Sequence, residues 1–219
     1  MIIIQLIFRG LLLIGYTVLA FIYKGKVLSL PYIYYLPLFL YFLAIALKNF
    51  LPTKRIIPSH RYYKSHYKKK SYDINNVTDL NKKRNNGAII ILSIWLFCLS
   101  ILGVLHIFGY IKAYQVVWFV FLFHFLDLIC LNYWCPFRII LKNKCCMDCR
   151  ISNWDNFFRF SPLLFIGGFF TTPLAILGVI SLLQWEYMYM KHRERFYLTS
   201  NAFNNCANCR NEHCKMHKN

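Results

Sequence analysis

Residues 88–110 read AIIILSIWLFCLSILGVLHIFGY and contain no Asp, Glu, Lys or Arg. A helix rises about 1.5 Å per residue and a bilayer's hydrocarbon core is about 30 Å thick, so roughly twenty such residues cross it. A helix at the surface of a soluble domain would carry a polar face. This stretch has only scattered Ser93, Ser100 and His106, so it reads as a transmembrane helix. Working outward, the same arithmetic assigns a span over 115–134, joined to the first by a short turn into a hairpin over 88–134. Upstream it assigns spans 2–23 and 27–47, a second hairpin within residues 1–47. Residues 2–23 are too long for a signal-peptide core and lack a basic leader, so they read as a retained span. Hydrophobic residues make up 58% of the 219, above what a soluble domain carries.

One apolar stretch remains, over 162–190. It is long enough to span, but Gly167-Gly168 and Thr171-Thr172-Pro173 interrupt it. Irregular backbone at membrane depth must be shielded by protein or water, which suits a re-entrant hairpin of two half-helices. Trp154-Asp155 before it and Trp185-Glu186 near its end read as anchors at a single interface. The expected fold is an all-α multi-pass membrane protein. It has four transmembrane helices, a re-entrant hairpin or fifth span, and two short Cys-rich polar segments, 135–161 and 191–219.

The net charge of +18 is concentrated between the spans. Residues 48–87 hold eleven Lys/Arg against Asp73 and Asp79, residues 135–161 five against Asp148 and Asp155, and residues 187–219 six against Glu194 and Glu212. Basic segments beside apolar spans mark cytoplasmic loops. The chain is therefore expected in the cell membrane, with 48–87 and both Cys-rich segments in the cytoplasm and no nucleic-acid partner. Within the first loop, residues 61–70 (RYYKSHYKKK) interleave tyrosines with basic residues, a composition suited to anionic lipid headgroups.

The sharpest chemical signal is sulfur. Of nine cysteines, Cys98 and Cys130 fall inside spans and are expected as small buried apolar groups. The other seven, Cys135, Cys145, Cys146, Cys149, Cys206, Cys209 and Cys214, lie in the two polar segments. Cys146–Cys149 and Cys206–Cys209 are C-x-x-C pairs, each placing two thiolates on one turn. Two such pairs make a four-thiolate site for zinc or an iron–sulfur cluster. Lys142, Lys144 and Arg150 beside the first pair, and Arg210 and Lys215 beside the second, favour thiolate over thiol. Cys135, Cys145 and Cys214 are reserve ligands. The pairs share a site only if the tail returns to the face that holds 135–149.

Inside the spans, Arg9 is expected to snorkel toward the N-terminal interface. His124 and Asp127, three residues apart, share one face of span four. They are the intramembrane polar candidates, expected as a pair packed against another helix. No Gly-rich phosphate loop, H-E-x-x-H or Ser-based nucleophile elbow is present, so no catalytic residue is assigned. Three functions fit. The first is a membrane metal–thiolate protein, passing electrons from a soluble partner if its centre is iron–sulfur. The second is a small transporter or channel-like protein with a structural zinc clamp. The third is a membrane thiol–disulfide redox enzyme.

Overall fold

The computed structural model describes residues 2–23, 31–51, 58–71, 74–143 and 146–204. Among these the chain is helical, without strands: α1 Ile2–Ile22, α2 Leu36–Lys48, α3 Ile74–Ile107, α4 Ala113–Asn132, α5 Phe137–Leu141, α6 Asp155–Phe160 and α7 Thr171–Lys191. Three of these are long and apolar enough to cross a membrane: α1 over Ile3–Ile22, α3 over Thr78–Ile107 and α4 over Ala113–Asn132.

Several elements differ from the expectation. α2 has only 13 residues, roughly 20 Å of rise, short of a full crossing. Pro31 precedes a 3-10 turn over Tyr32–Tyr34, and Pro37 sits in the first turn of α2, where its missing N–H costs nothing. The first four residues assigned to that span, 27–30, are outside the described residues. α3 begins at Ile74, inside the basic segment, because no Pro or Gly interrupts 74–86. The stretch 162–190 is broken as its glycines suggest. A 3-10 turn over Ser161–Phe165 follows α6, and α7 begins only at Thr171.

The chain forms two compact units. Unit 1 comprises Met1–Lys48, Leu96–Leu128 and Asp155–Ile180. Its core packs Tyr16 of α1, Phe42 and Ala46 of α2, Val120 and Phe121 of α4, and Phe160, Leu163, Leu174 and Ala175 around the 161–170 break. Its exterior is apolar: Ile4, Leu11, Phe21, Phe97, Phe108 and Phe169 are all more than half exposed. Water would penalise such a surface, whereas hydrocarbon would not. α7 packs back against α6, and a Cβ added at Gly178 would lie 3.0 Å from the Asn156 carbonyl oxygen.

Unit 2 comprises Asn49–Trp95, Ile129–Trp154 and Ser181–Asn219. It buries many polar groups: His60, Arg61, His66, Arg84, Arg150 and Asn201 are all under one-tenth exposed. Its hydrophobic centre is aromatic, with Tyr62, Trp154, Trp185, Tyr189, Phe196 and Tyr197. An isolated antiparallel bridge joins Lys69 to Asn201, flanked by Lys70 N to Ser200 O at 3.1 Å and Ala202 N to Lys68 O at 2.8 Å. The Asn201 amide completes the seam, donating to the His66 and Arg195 carbonyls at 2.9 Å each.

Candidate functional site

The first C-x-x-C lies on a tight turn of unit 2. A 3-10 turn runs over Cys146–Asp148, closed by Cys149 N donating to Cys146 O at 3.1 Å. Cys146 and Cys149 are each half-buried. The turn is held from beneath by Arg61, which is 1% exposed. Its Nη1 donates to the Met147 carbonyl at 2.7 Å and to the Phe196 carbonyl at 2.8 Å. Its Nη2 donates to the Cys149 carbonyl and, at 2.8 Å, to Ser152 Oγ. The Trp185 and Phe196 rings flank the guanidinium, with centroids 5.4 and 5.7 Å from Cζ. Only arginine offers this fork of donors on a plane that also stacks on aromatics. One buried cation thus joins three segments: 58–63, the C-x-x-C turn, and the stretch 193–197 that leads into the tail.

Beside it, Arg150 grips the Glu186 carboxylate with both terminal nitrogens, Nη1 to Oε1 at 2.7 Å and Nη2 to Oε2, and lies 3.5 Å from the Tyr189 ring centroid. Its charge is answered by Glu186 and is not left to the thiols. The Trp154 indole N–H also donates to Glu186 Oε1, at 2.9 Å, and Trp185 Nε1 donates to the Arg150 carbonyl at 2.9 Å. Trp154, before the 162–190 stretch, and Glu186, near its end, therefore meet. Tyr197 donates to Asn81 Oδ1 at 3.0 Å. Burial holds its hydroxyl well above the ordinary tyrosine pKa, and neighbouring Tyr189 adds to the shift. Burial does the same to Tyr62, helped by Tyr63. The basic run 61–70 divides: Lys64, Lys68, Lys69 and Lys70 are exposed, while Arg61, Tyr62 and His66 turn into the unit. Tyr62 donates to the Asn49 carbonyl at 2.5 Å.

Unit 1 holds a second polar constellation. Arg9 does not snorkel: its Nη1 meets Asp127 Oδ2 at 3.2 Å and the His124 carbonyl at 2.8 Å. Arg159, 1% exposed, reaches the same Asp127 oxygen at 3.1 Å, with Asp155 at 3.6 Å and Asn156 Oδ1 at 3.2 Å. His124 and Asp127 share a helix face but take different partners. His124 Nε2 bonds the Tyr41 hydroxyl at 2.8 Å, and its Nδ1 is buried without a hydrogen bond. His106 Nδ1 is taken by the Ile111 carbonyl at 2.8 Å, at the end of α3.

The cysteines divide three ways. Cys130 and Cys135 are joined in a disulfide. Cys130 is therefore not a lone apolar group, and in that bonded form Cys135 offers no thiolate. Cys98 lies exposed on α3 and not buried. Cys145, Cys206, Cys209 and Cys214 lie outside the described residues. Among the described residues, no three His, Cys, Asp or Glu side chains gather as a metal site. Sequence reasoning missed Arg61, which looked like one more cation of a solvated basic run. Its only signal was the dense aromatic company at positions 62, 63 and 67.

Compared with protein families, with characterised proteins and with solved structures, the chain matches none.

Proposed function

We propose that the chain is an integral membrane metal–thiolate protein, holding zinc or an iron–sulfur cluster through Cys146, Cys149, Cys206 and Cys209, with Cys145 and Cys214 in reserve. One observation carries this reading. Arg61 Nη1 bonds Met147 inside the first C-x-x-C and Phe196 on the approach to the second. The tail thus returns to the segment bearing Cys146 and Cys149, as a shared four-thiolate site requires, and the seam at Lys69 and Asn201 holds it there up to Asn204. In the bilayer, α1, α3 and α4 are the embedded helices and the cation-rich segments 48–87, 135–161 and 191–219 are cytoplasmic. The meeting of Trp154 with Glu186 supports a re-entrant course for 155–190 over a fifth crossing. The exposed Lys64 and Lys68–Lys70 face anionic headgroups.

Anaerobic purification tests the metal. Stoichiometric zinc in a colourless sample identifies a clamp, and equal iron and sulfide in a brown one a cluster suited to electron transfer. Either must disappear in both Cys146→Ser/Cys149→Ser and Cys206→Ser/Cys209→Ser. A metal-free wild-type protein contradicts the proposal, and fully reduced C-x-x-C thiols in native membranes would also dismiss a thiol–disulfide enzyme.

The Arg9–Asp127–Arg159 network beside a broken helix favours a second reading, a small transporter, since charged groups at depth and interrupted helices mark transport sites. Solute flux into proteoliposomes that persists without the cysteines would select it.

A further inference from the structure

We propose that anionic lipid headgroups close the seam between residues 68–70 and 200–202, so that docking of the Cys-rich tail depends on membrane charge. The seam fixes the tail just before its cysteines. Ala202 N donates to Lys68 O at 2.8 Å and Lys70 N to Ser200 O at 3.1 Å. Lys68 N donates to Asn201 Oδ1 at 3.1 Å. Ser200, Asn201 and Asn204 are fully buried. Cys206 follows Asn204 by two residues in the chain. If the seam opens, the next anchor back is Phe196, whose carbonyl Arg61 holds. The tether before Cys206 then grows from two residues to ten. Effective concentration falls as about the −3/2 power of tether length, so an open seam dilutes the second C-x-x-C roughly tenfold at the first. That effect on metal rests on the thiolate reading, whereas the seam itself does not.

Charge opposes the seam from both sides. Residues 58–71 carry Arg61, Lys64, Lys68, Lys69 and Lys70 and no Asp or Glu. The four lysines are exposed, and among the described residues no carboxylate pairs with them. The tail is also cationic, with six Lys/Arg against two Glu over 187–219. Closing therefore packs two segments of one sign together, and the closed state has the higher density of positive charge. A negatively charged surface binds that state more tightly and shifts the equilibrium toward it. Lipid is the anion source the geometry favours over a soluble acidic protein. Tyr62 and Tyr63 donate to the Asn49 and Phe50 carbonyls at 2.5 Å each. Those carbonyls come directly after α2, whose Phe42 and Ala46 lie in the apolar core. The lysine run thus leaves the fold where an apolar helix ends, at the level of the headgroups, and anionic leaflets attract juxtamembrane lysines.

The experiment places the full chain in nanodiscs of phosphatidylcholine alone or with about one-third phosphatidylglycerol. Amide exchange is read in the peptides containing Lys70 and Ala202, with a chelator present. Exchange about tenfold slower in the anionic disc is expected, and high salt should erase the difference. Lys64→Gln/Lys68→Gln/Lys70→Gln relieves the repulsion itself, so exchange should be slow in both discs. Equal wild-type exchange in the two discs, or an undiminished lipid response in the triple variant, would overturn the proposal. So would soluble glycerol phosphate that reproduces the slowing at the same phosphate concentration. Without prior chelation, the bound metal should resist a competing chelator about tenfold better in the anionic disc. No metal in either disc, with exchange that follows lipid charge, would end the thiolate reading alone. Bound metal, with exchange indifferent to lipid charge, would end the lipid-dependent seam alone.

Discussion

Arg61→Leu removes the donor that holds the C-x-x-C turn. The carbonyls of Met147, Cys149 and Phe196 and the Ser152 hydroxyl lose their partner at once. A buried acceptor left unsatisfied costs about 1–3 kcal/mol. The sum is reduced because the guanidinium no longer has to be desolvated, a penalty of several kcal/mol per ion. Relaxation of the turn toward water reduces it further, leaving a net loss of about 3 kcal/mol. At about 1.4 kcal/mol per factor of ten, the open turn becomes roughly a hundredfold more populated. Cys146 and Cys149 are half-buried on that turn, so their alkylation rate in detergent reports that opening directly. Lysine presents three donors from a point charge, so Arg61→Lys should fall near a tenfold increase, half the effect on a free-energy scale. Labelling of Cys146 and Cys149 in Arg61→Leu at the wild-type rate, with an unchanged melting temperature, would refute the clamp.

Asp127→Ala leaves Arg159 buried without its nearest anion and deprives Arg9 of the same oxygen. A loss of about 3–5 kcal/mol is expected in detergent unfolding, and an unchanged midpoint would show the network to be idle. Alkylation of the denatured, unreduced chain should modify Cys98, Cys146 and Cys149 but spare Cys130 and Cys135, and mass spectrometry that finds Cys130 or Cys135 labelled would contradict the disulfide. Burial raises the pKa of Tyr62 and Tyr197 in the fold. Both are therefore neutral in the folded state at a pH where the unfolded chain has begun to ionise. Their contribution is complete below about pH 10, the unfolded value, and is lost as pH climbs from there toward the folded one. Alkaline titration by tyrosinate absorbance should show them ionising only with unfolding, and ordinary early ionisation of all sixteen tyrosines would refute it.

The three long apolar helices were legible because an apolar run of some twenty residues with at most one charge has few other uses. The break at 166–170 was legible for the same kind of reason: Gly167-Gly168 and Pro173 advertise a helix that cannot continue. α2 was overestimated because apolar composition continues upstream through Pro31, where helical geometry does not. Partnerships were harder to read. Nothing in the sequence distances between Arg9, Asp127 and Arg159 announces that two guanidiniums share one oxygen, since α1, α4 and α6 meet only through packing. Arg61 was hidden more thoroughly, because a buried cation inside a basic stretch has the same local composition as a solvated one. The sulfur pattern did not show how the cysteines pair: Cys130 and Cys135 join across the end of α4, outside any C-x-x-C spacing.

The central claim is that the two cysteine-bearing segments share one side of the membrane. Single-cysteine chains retaining only Cys149 or only Cys209, reacted with a membrane-impermeant maleimide in oriented vesicles, test it most directly. Both should label in inside-out vesicles and neither in right-side-out ones. Labelling of the two from opposite faces would contradict the account.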